Sequence, residues 1–168
     1  AWNRPGSRAS SRACASARGS MPPIVTVHPV TPSIEEFLAD IRSGWDRVTP
    51  IHAATEVAAG ALLVDIRPLE QRRRQGDVPG ALVVGRTVLE WRLPPSSDRR
   101  IPQAAADARV ILLCGQGYSS SLAAASLRAL GLDATDVIGG FEAWAAAGLS
   151  IESCRGPSRE ETAGFDTF

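Results

Sequence analysis

The sequence predicts an α/β fold in which helices flank a central parallel sheet on both faces. The uninterrupted apolar run 110–113 and the mostly apolar segment 61–66, which contains Asp65, are rich in branched residues, as expected of strands buried on both sides of a parallel sheet. Shorter strands are expected at 82–84 and 135–138. Segments with helix-start signals or helical spacing lie between these runs, and this alternation is typical of parallel sheets covered by helices.

Sequence signals for helix starts locate the first two helices. Ser33 is followed three residues later by Glu36, which is a capping-box pattern. Apolar residues at helical spacing follow, so we expect an amphipathic helix over about 34–43. Thr49 and Pro50 predict the start of a second helix that runs to residue 60. Further helices are expected at 87–93 and 140–147.

Residues 109–131 organise the predicted fold. The strand at 110–113 leads to Cys114, a loop follows, and Ser119 or Ser120 is expected to cap the next helix. Gly131 is a suitable stop for that helix. Its packing face is predicted to consist of Leu122, Ala125, Ser126 and Ala129.

This arrangement suits an anionic sulfur at Cys114. The first N–H groups of a helix have no internal partners and carry the positive end of its dipole. A loop that curls at Gly115 and Gly117 can aim further N–H groups at the same point. Both effects lower the pKa of a thiol and favour the nucleophilic thiolate. The alternative is a buried structural cysteine followed by an ordinary turn.

The stretch from Cys114 to Ser120, Cys-Gly-Gln-Gly-Tyr-Ser-Ser, resembles the active-site loop of the rhodanese sulfurtransferases. Three further segments resemble family motifs in the family's order. Residues 62–67 resemble the "LVDVR" strand, 76–81 resemble "GHIPGA", and 138–144 resemble the "GG…W" ending. The resemblance covers residues 48–151.

The resemblance implies a rhodanese-like fold and sulfur transfer through a persulfide on Cys114, with no metal or organic cofactor. The donor would be thiosulfate or a persulfide, and the acceptor cyanide, a thiol or a protein cysteine. Asp65 and Arg67 are expected to brace the neighbouring loops. Asp77 stands where the family usually has a non-catalytic His. The loop expected to bind donor and persulfide comprises Gly115, Gln116, Gly117, Tyr118, Ser119 and Ser120.

Two other functions stay open. A phosphatase or arsenate reductase of the Cys-x5-Arg type needs a guanidinium six residues after the cysteine, where this chain has Ser120. A non-catalytic or redox-sensing rhodanese-like module would bind a partner and keep Cys114 in a lasting oxidised form. The loop also lacks Lys and Arg, which suggests that thiosulfate is a poor substitute for a small or protein persulfide donor.

Composition narrows the function classes. A formal net charge of zero over 168 residues argues against nucleic-acid binding, and no apolar run reaches the roughly 18 residues that span a bilayer. All 18 basic residues are Arg, which together with the high Ala and Gly content suggests a bacterial source. The three cysteines, Cys14, Cys114 and Cys154, form no disulfide framework and suit a reducing cytoplasm. The oligomeric state is left open.

We expect a single domain over 31–151, between an extended or disordered arm at 1–30 and a flexible tail at 152–168. Residues 1–20 are rich in Arg and Ser and contain no acid. They favour a misplaced start or a cloning extension, with a natural disordered arm or a transit peptide as alternatives.

Two further expectations concern groups outside the loop. Arg72, Arg73 and Arg74 are expected on the solvated face of a short helix. Cys154 is expected to be an exposed bystander, with the resolution of a persulfide or disulfide as its alternative role.

Overall fold

A computed structural model describes residues 31–105 and 107–157, and these residues confirm the predicted α/β architecture. Four parallel strands form one sheet in the order β2-β1-β3-β4: β1 (Leu62–Asp65), β2 (Leu82–Val83), β3 (Val110–Leu113) and β4 (Ala134–Asp136). The helices are α1 (Ile34–Arg42), α2 (Pro50–Ala58), α3 (Leu69–Gln75), α4 (Leu89–Arg92), α5 (Ser119–Ala129) and α6 (Gly140–Ala146). A 3₁₀ turn, Arg86–Val88, precedes α4.

The sheet buries side chains on both faces because successive residues of a strand point to opposite sides. In β1, Val64 packs into the core covered by α4 and α5, whereas Leu63 packs into the core formed with α2 and α6. The predicted capping box at the start of α1 is present, and this helix packs against α5 with Leu38 buried. None of the helices in the described residues is long and apolar enough to cross a membrane.

The register of the sheet brings the carboxyl ends of three strands together. Asp65 pairs with Leu113, and Leu112 pairs with Asp136. Cys114 follows directly after β3, so its backbone leaves the sheet at the same edge as Asp65 and Asp136. Ligands of open parallel sheets bind at this edge.

Helix α5 differs from the prediction at its start and in its packing face. Tyr118 is its N-cap residue and makes no side-chain cap hydrogen bond. The Ser120 hydroxyl is directed to Asp136. The expected caps, Ser119 and Ser120, therefore lie in the first turn. The side chains are mostly small, so apolar spacing did not distinguish the faces. The buried residues are Ser120, Ser121, Ala123, Ala124 and Leu127 rather than the predicted Leu122, Ala125, Ser126 and Ala129.

The end of α5 is as predicted. Gly131 has a φ of +88°, its N–H bonds to the carbonyl of Arg128, and the Leu132 N–H bonds to the carbonyl of Leu127. These two bonds form a Schellman motif, which requires the left-handed backbone that glycine adopts most easily.

Arg72 is buried, and the prediction that it is solvated is wrong. Its Nη1 donates to Asp77 Oδ1 at 2.7 Å and its Nη2 donates to the Gly156 carbonyl at 3.0 Å. Arg73 and Arg74 are exposed, as predicted, and pair with Glu70. The buried partner of Arg72 is supplied by the turn after α3, which helical periodicity does not reveal.

The segment 152–157 packs against this buried pair. Glu152 forms an antiparallel bridge with Asp77, and the Arg155 N–H donates to the Asp77 carboxylate at 3.0 Å. Burial acts to raise the pKa of Asp77, but the hydrogen bonds from Arg155 and Arg72 outweigh it and lower the pKa. The predicted tail boundary at 152 thus falls inside a segment bonded to the domain. The rest of the predicted tail and the predicted arm at 1–30 lie outside the described residues.

Candidate functional site

Cys114 lies at the floor of a cavity of about 380 Å³ at the carboxyl edge of the sheet. The residue is only 5% exposed, since β3 carries it into the core and the loop before α5 curls around it. The residues lining the cavity are Gln71, Cys114, Gly115, Gln116, Tyr118, Ser119 and Glu142. A cysteine that lines a cavity can react with small groups that enter it.

The sulfur accepts several hydrogen bonds from the loop. The N–H groups of Gly117 and Ser120 point to Sγ at 3.2 and 3.4 Å, and Ser120 Oγ lies 3.2 Å from Sγ. Burial acts to raise the pKa of the Cys114 thiol. Hydrogen bonds from the hydroxyls of Ser119 and Ser120 and from the backbone of Ser120 and Gln116 outweigh that effect, so the pKa lies below the ordinary thiol value.

Three glycines allow the loop to close on the start of α6. Gly117 has a φ of +78°, and a Cβ there would meet the Gly139 nitrogen at 2.8 Å. A Cβ on Gly140 would overlap the Cys114 carbonyl oxygen and the Gly117 nitrogen. This close approach lets the Phe141 N–H donate to the Cys114 carbonyl at 2.8 Å. Gly117 and Gly140 are therefore needed to hold the backbone around the sulfur.

The rim of the cavity is polar. Gln116 and Tyr118 are exposed, and Gln116 Nε2 donates to Glu142 Oε1 at 2.9 Å. The Arg42 guanidinium lies over the Tyr118 ring, 5.7 Å from its centroid. Glu142 was not singled out from the sequence, although it lies two residues after the second glycine of the "GG…W" segment. Among the described residues that line the cavity, Glu142 is the carboxylate, so it adds a negative charge to the rim.

Asp65 and Arg67 lie beside the site rather than in it. Arg67 Nη2 pairs with Asp65 Oδ2 at 2.6 Å, and both side chains are almost completely buried. Arg67 also donates to Gln75 and to the Gly76 carbonyl, each at 3.0 Å. Its guanidinium stacks 3.8 Å from the centroid of the Phe141 ring. These contacts connect the end of β1 to α6 and to the turn after α3.

Asp136 was not singled out from the sequence, although it lies within the strand predicted at 135–138; the observed strand β4 ends at this residue, at the edge where ligands bind. The residue is fully buried. Its Oδ2 accepts hydrogen bonds from Ser120 Oγ at 3.0 Å and from Ser121 Oγ at 2.9 Å. Arg47 holds both oxygens through Nε and Nη2, at 2.9 and 2.8 Å. A buried carboxylate thus lies one serine away from the sulfur of Cys114.

Arg42 and Arg47, which precede the first strand, donate hydrogen bonds to the loop that follows Cys114. Arg42 Nη2 and Arg47 Nη2 donate to the Gly117 carbonyl at 2.7 and 3.0 Å. Arg42 Nε also donates to Ser121 Oγ at 3.0 Å. Sequence reasoning could not find these residues, because their partners lie 70 or more positions further along the chain.

Cys154 does not line the cavity of Cys114. Its sulfur lies 3.8 Å from Arg72 Nη1, beside the buried Arg72–Asp77 pair, and the residue is half-buried. The expectation that it is an exposed bystander is therefore correct only in part, and its alternative role remains untested.

The chain is similar to known proteins in both family and fold. The model of the rhodanese-like domain family matches residues 50–147. No curated protein matches the chain. Among solved structures, a protein of unknown function from Rhodopseudomonas palustris, described as a possible tyrosine phosphatase, is 30% identical. It aligns with 79% of this chain over 100% of its own length, with a TM-score of 0.66.

Two other solved structures are similar over a similar part of the chain. A thiosulfate sulfurtransferase from Pseudomonas aeruginosa is 28% identical, covering 65% of this chain and 19% of its own, with a TM-score of 0.54. This chain therefore spans only about a fifth of that enzyme. A rhodanese-related protein from Thermoplasma volcanium is 19% identical over 64% of this chain and 97% of its own, with a TM-score of 0.53. The predicted rhodanese-like fold is confirmed.

Proposed function

The chain belongs to the rhodanese-like domain family, and we propose that it is a sulfurtransferase that carries sulfane sulfur as a persulfide on Cys114. One observation carries the proposal. The sulfur of Cys114 lies at the floor of a cavity and accepts the N–H groups of Gly117 and Ser120, an environment that stabilises a thiolate. A thiolate that lines a cavity can attack the sulfur atom of a donor that enters the cavity.

In the first step, the Cys114 thiolate attacks the outer sulfur of the donor. With thiosulfate, a new S–S bond forms, the sulfur–sulfur bond of the donor breaks, and sulfite leaves with the electron pair. With a persulfide donor, the leaving group is the donor's thiolate. The charge is conserved in either case, and the anionic persulfide remains within reach of the loop N–H groups.

In the second step, an acceptor nucleophile attacks the outer sulfur of the persulfide. The bond to Sγ breaks, and Cys114 leaves as a thiolate. Cyanide becomes thiocyanate, and a thiolate acceptor becomes a persulfide. The loop donors stabilise the thiolate as the nucleophile of the first step and as the leaving group of the second step, so one arrangement serves both half-reactions.

The charge at the cavity favours a persulfide donor over thiosulfate. The described residues that line the cavity include no Arg or His, and Glu142 adds a negative charge at the rim. Arg42 lies behind Tyr118 and is held by the Gly117 carbonyl. A dianion is repelled more strongly by Glu142 than a monoanion or a zwitterion of comparable size. We infer that the donor is a small or protein persulfide, and that a thiol or protein cysteine accepts the sulfur. A bacterial cytoplasm, where thiols stay reduced, suits this chemistry.

A phosphatase function is the natural rival, given the similarity to the Rhodopseudomonas palustris protein. Phosphoryl transfer to a cysteine requires a cationic clamp on the phosphate oxygens. Here the sixth residue after Cys114 is Ser120, whose side chain is buried and hydrogen-bonded to Asp136. This arrangement leaves no clamp in the cavity among the described residues.

A partner-binding or redox-sensing module is the second rival. It would need the fold but no sulfur turnover. A lasting sulfenate or mixed disulfide on Cys114 in cells, without persulfide turnover, favours this function. The open cavity and the donors to Sγ are needed for sulfur transfer and are not needed for binding through another surface.

Intact mass spectrometry tests the proposal. Reduced protein is treated with thiosulfate or with a small persulfide, and the sulfurtransferase proposal expects a gain of one sulfur, roughly 32 Da, that cyanide removes. Cys114→Ser should not gain the sulfur, whereas the matched control Cys154→Ser should. A wild-type protein that gains no sulfur from either donor contradicts the proposal and favours a binding or sensing module.

A further inference from the structure

Ser120 and Ser121 share one buried acceptor, Asp136 Oδ2. Their hydroxyl oxygens lie 3.0 and 2.9 Å from it, and all three residues are fully buried. Each hydroxyl also has a second neighbour. Ser120 Oγ lies 3.2 Å from Cys114 Sγ, and Ser121 Oγ lies 3.1 Å from the Gly117 carbonyl. Each serine therefore has two acceptors for its hydroxyl.

A hydroxyl has one hydrogen to donate, so each serine must choose between its two acceptors. When Cys114 is a thiol, its S–H can donate to Ser120 Oγ while the Ser120 hydroxyl donates to Asp136. When Cys114 is a thiolate, its sulfur has no hydrogen and accepts that of Ser120. Asp136 then loses one donor at the moment that the sulfur gains one.

Ser121 can replace the lost donor. If its hydroxyl turns from the Gly117 carbonyl to Asp136, the carboxylate keeps a hydroxyl donor. The Gly117 carbonyl does not become unsatisfied, because Arg42 and Arg47 both donate to it, at 2.7 and 3.0 Å. This matters because a buried carbonyl or carboxylate that is left without a hydrogen-bond donor costs free energy.

We propose that Ser120, Ser121 and Asp136 form a hydroxyl switch that gives Cys114 a hydrogen-bond donor when its sulfur is anionic and withdraws that donor when the sulfur is a thiol. Ser120 contacts the reacting sulfur. Ser121 and Asp136 are positioning residues that act through Ser120. The role of the switch in catalysis rests on the proposed function, because a thiolate is the nucleophile of the first step and the leaving group of the second.

Each charged group near Ser120 and Ser121 has a partner of opposite charge or a polar partner. Arg47 holds both carboxylate oxygens of Asp136, so the carboxylate beside Ser120 is paired. Arg42 approaches from α1 and contacts the Gly117 carbonyl and Ser121. Glu142 at the start of α6 is bonded to Gln116 on the rim. Ser120 lies within hydrogen-bond distance of both the Cys114 sulfur and Asp136, and these charged groups do not separate the three.

The test is the pH dependence of Cys114 alkylation by iodoacetamide, followed on the peptide that contains Cys114 so that Cys14 and Cys154 do not contribute. Ser120→Ala should slow alkylation near neutral pH, on the order of tenfold, because the thiolate loses a donor. Ser121→Ala should slow it several-fold, since Asp136 then retains the Ser120 hydroxyl. No hydrogen bond joins Ser121 to the sulfur. If only groups bonded directly to the sulfur affected it, Ser121→Ala would not change the alkylation rate.

The double variant separates a switch from independent contributions. In the Ser120→Ala background, Ser121→Ala should cause no further slowing, because it acts through the missing hydroxyl. In a Ser119→Ala background it should cause its full effect, since Ser119 contributes its own hydroxyl to the sulfur. Additive effects of Ser120→Ala and Ser121→Ala, or an unchanged profile in Ser121→Ala, overturn the proposal.

Two further measurements keep the outcome interpretable. Ser121→Thr retains a hydroxyl and should keep a profile close to the wild type, and a slowing as large as that of Ser121→Ala in a folded Thr variant overturns the switch. Alkylation does not involve sulfur transfer. A protein that gains no persulfide but shows the expected non-additivity therefore refutes the sulfurtransferase proposal and leaves the switch intact.

Discussion

The Arg67 guanidinium stacks 3.8 Å from the centroid of the Phe141 ring, and this contact joins the end of β1 to the backbone around Cys114. On one side, Arg67 pairs with the buried Asp65. On the other side, the Phe141 N–H donates to the Cys114 carbonyl. The buried Asp65–Arg67 pair beside the site is therefore linked through Phe141 to the backbone of Cys114.

Replacing Arg67 should destabilise the protein strongly. Arg67→Met leaves Asp65 as an unpaired buried charge, and breaking such a pair typically costs about 3–5 kcal/mol of the free energy of unfolding. Arg73→Met is the matched control, because Arg73 is exposed and its pair with Glu70 should contribute at most about 1 kcal/mol. Urea unfolding of both variants measures the difference, and equal losses would contradict the bracing role.

Gly140→Ala should disturb the loop as well as the stability. The new Cβ would overlap the Cys114 carbonyl oxygen, in addition to the cost of a φ of +59°. Gly148→Ala is a matched control, because Gly148 has a φ of +69° and open space around it. The control should lose roughly 1–2 kcal/mol and keep its Cys114 alkylation rate. An unchanged alkylation rate in a folded Gly140→Ala protein would argue against the importance of this close approach.

The pH profile of Cys114 should be shifted to lower pH by the fold. Hydrogen bonds from the loop lower the pKa of the thiol, so alkylation should rise with pH and reach its plateau below the range of an ordinary cysteine, whose pKa is about 8.5. The same peptide in urea-unfolded protein supplies the reference profile. If the folded protein titrates at or above the unfolded reference, the loop does not stabilise the thiolate.

Glu142→Gln should improve the use of thiosulfate. Removal of the carboxylate from the rim lowers the repulsion of a dianion, and we expect kcat/KM for thiosulfate to rise a few-fold at low salt. The effect on a zwitterionic persulfide donor should be smaller, and both effects should shrink as salt is added. Glu35→Gln on α1 serves as the control for net charge. A submillimolar KM for thiosulfate in the wild type would contradict the inferred donor class.

Much of the fold could be predicted because local signals and global structure agree. The buried strand at 110–113, the capping box at Ser33 and the stop at Gly131 all follow from local chemistry. The loop of Cys114 was found for the same reason, since glycines and a helix start lie next to the cysteine in sequence. The order of the four motifs along the chain matches that of the rhodanese-like family, and this order predicted how the local elements are arranged in the fold.

The parts that were missed depend on contacts between distant segments. The partner of Asp136 is Arg47, 89 positions earlier, and the buried state of Arg72 depends on Asp77 and on the segment that contains Gly156. From the local sequence alone, an arginine or an aspartate at such a position is predicted to be exposed to solvent. The buried face of α5 was missed because its serines are buried by hydrogen bonds to Asp136 rather than by apolar character.

The central claim is tested most directly by locating the transferred sulfur. The protein is loaded with a small persulfide, digested under non-reducing conditions and analysed as peptides before and after addition of cyanide. We predict one added sulfur on the peptide containing Cys114, none on those containing Cys14 or Cys154, and its complete recovery as thiocyanate. Added sulfur on another cysteine, or sulfur on Cys114 that no acceptor removes, would contradict the claim that Cys114 carries sulfur in a catalytic cycle.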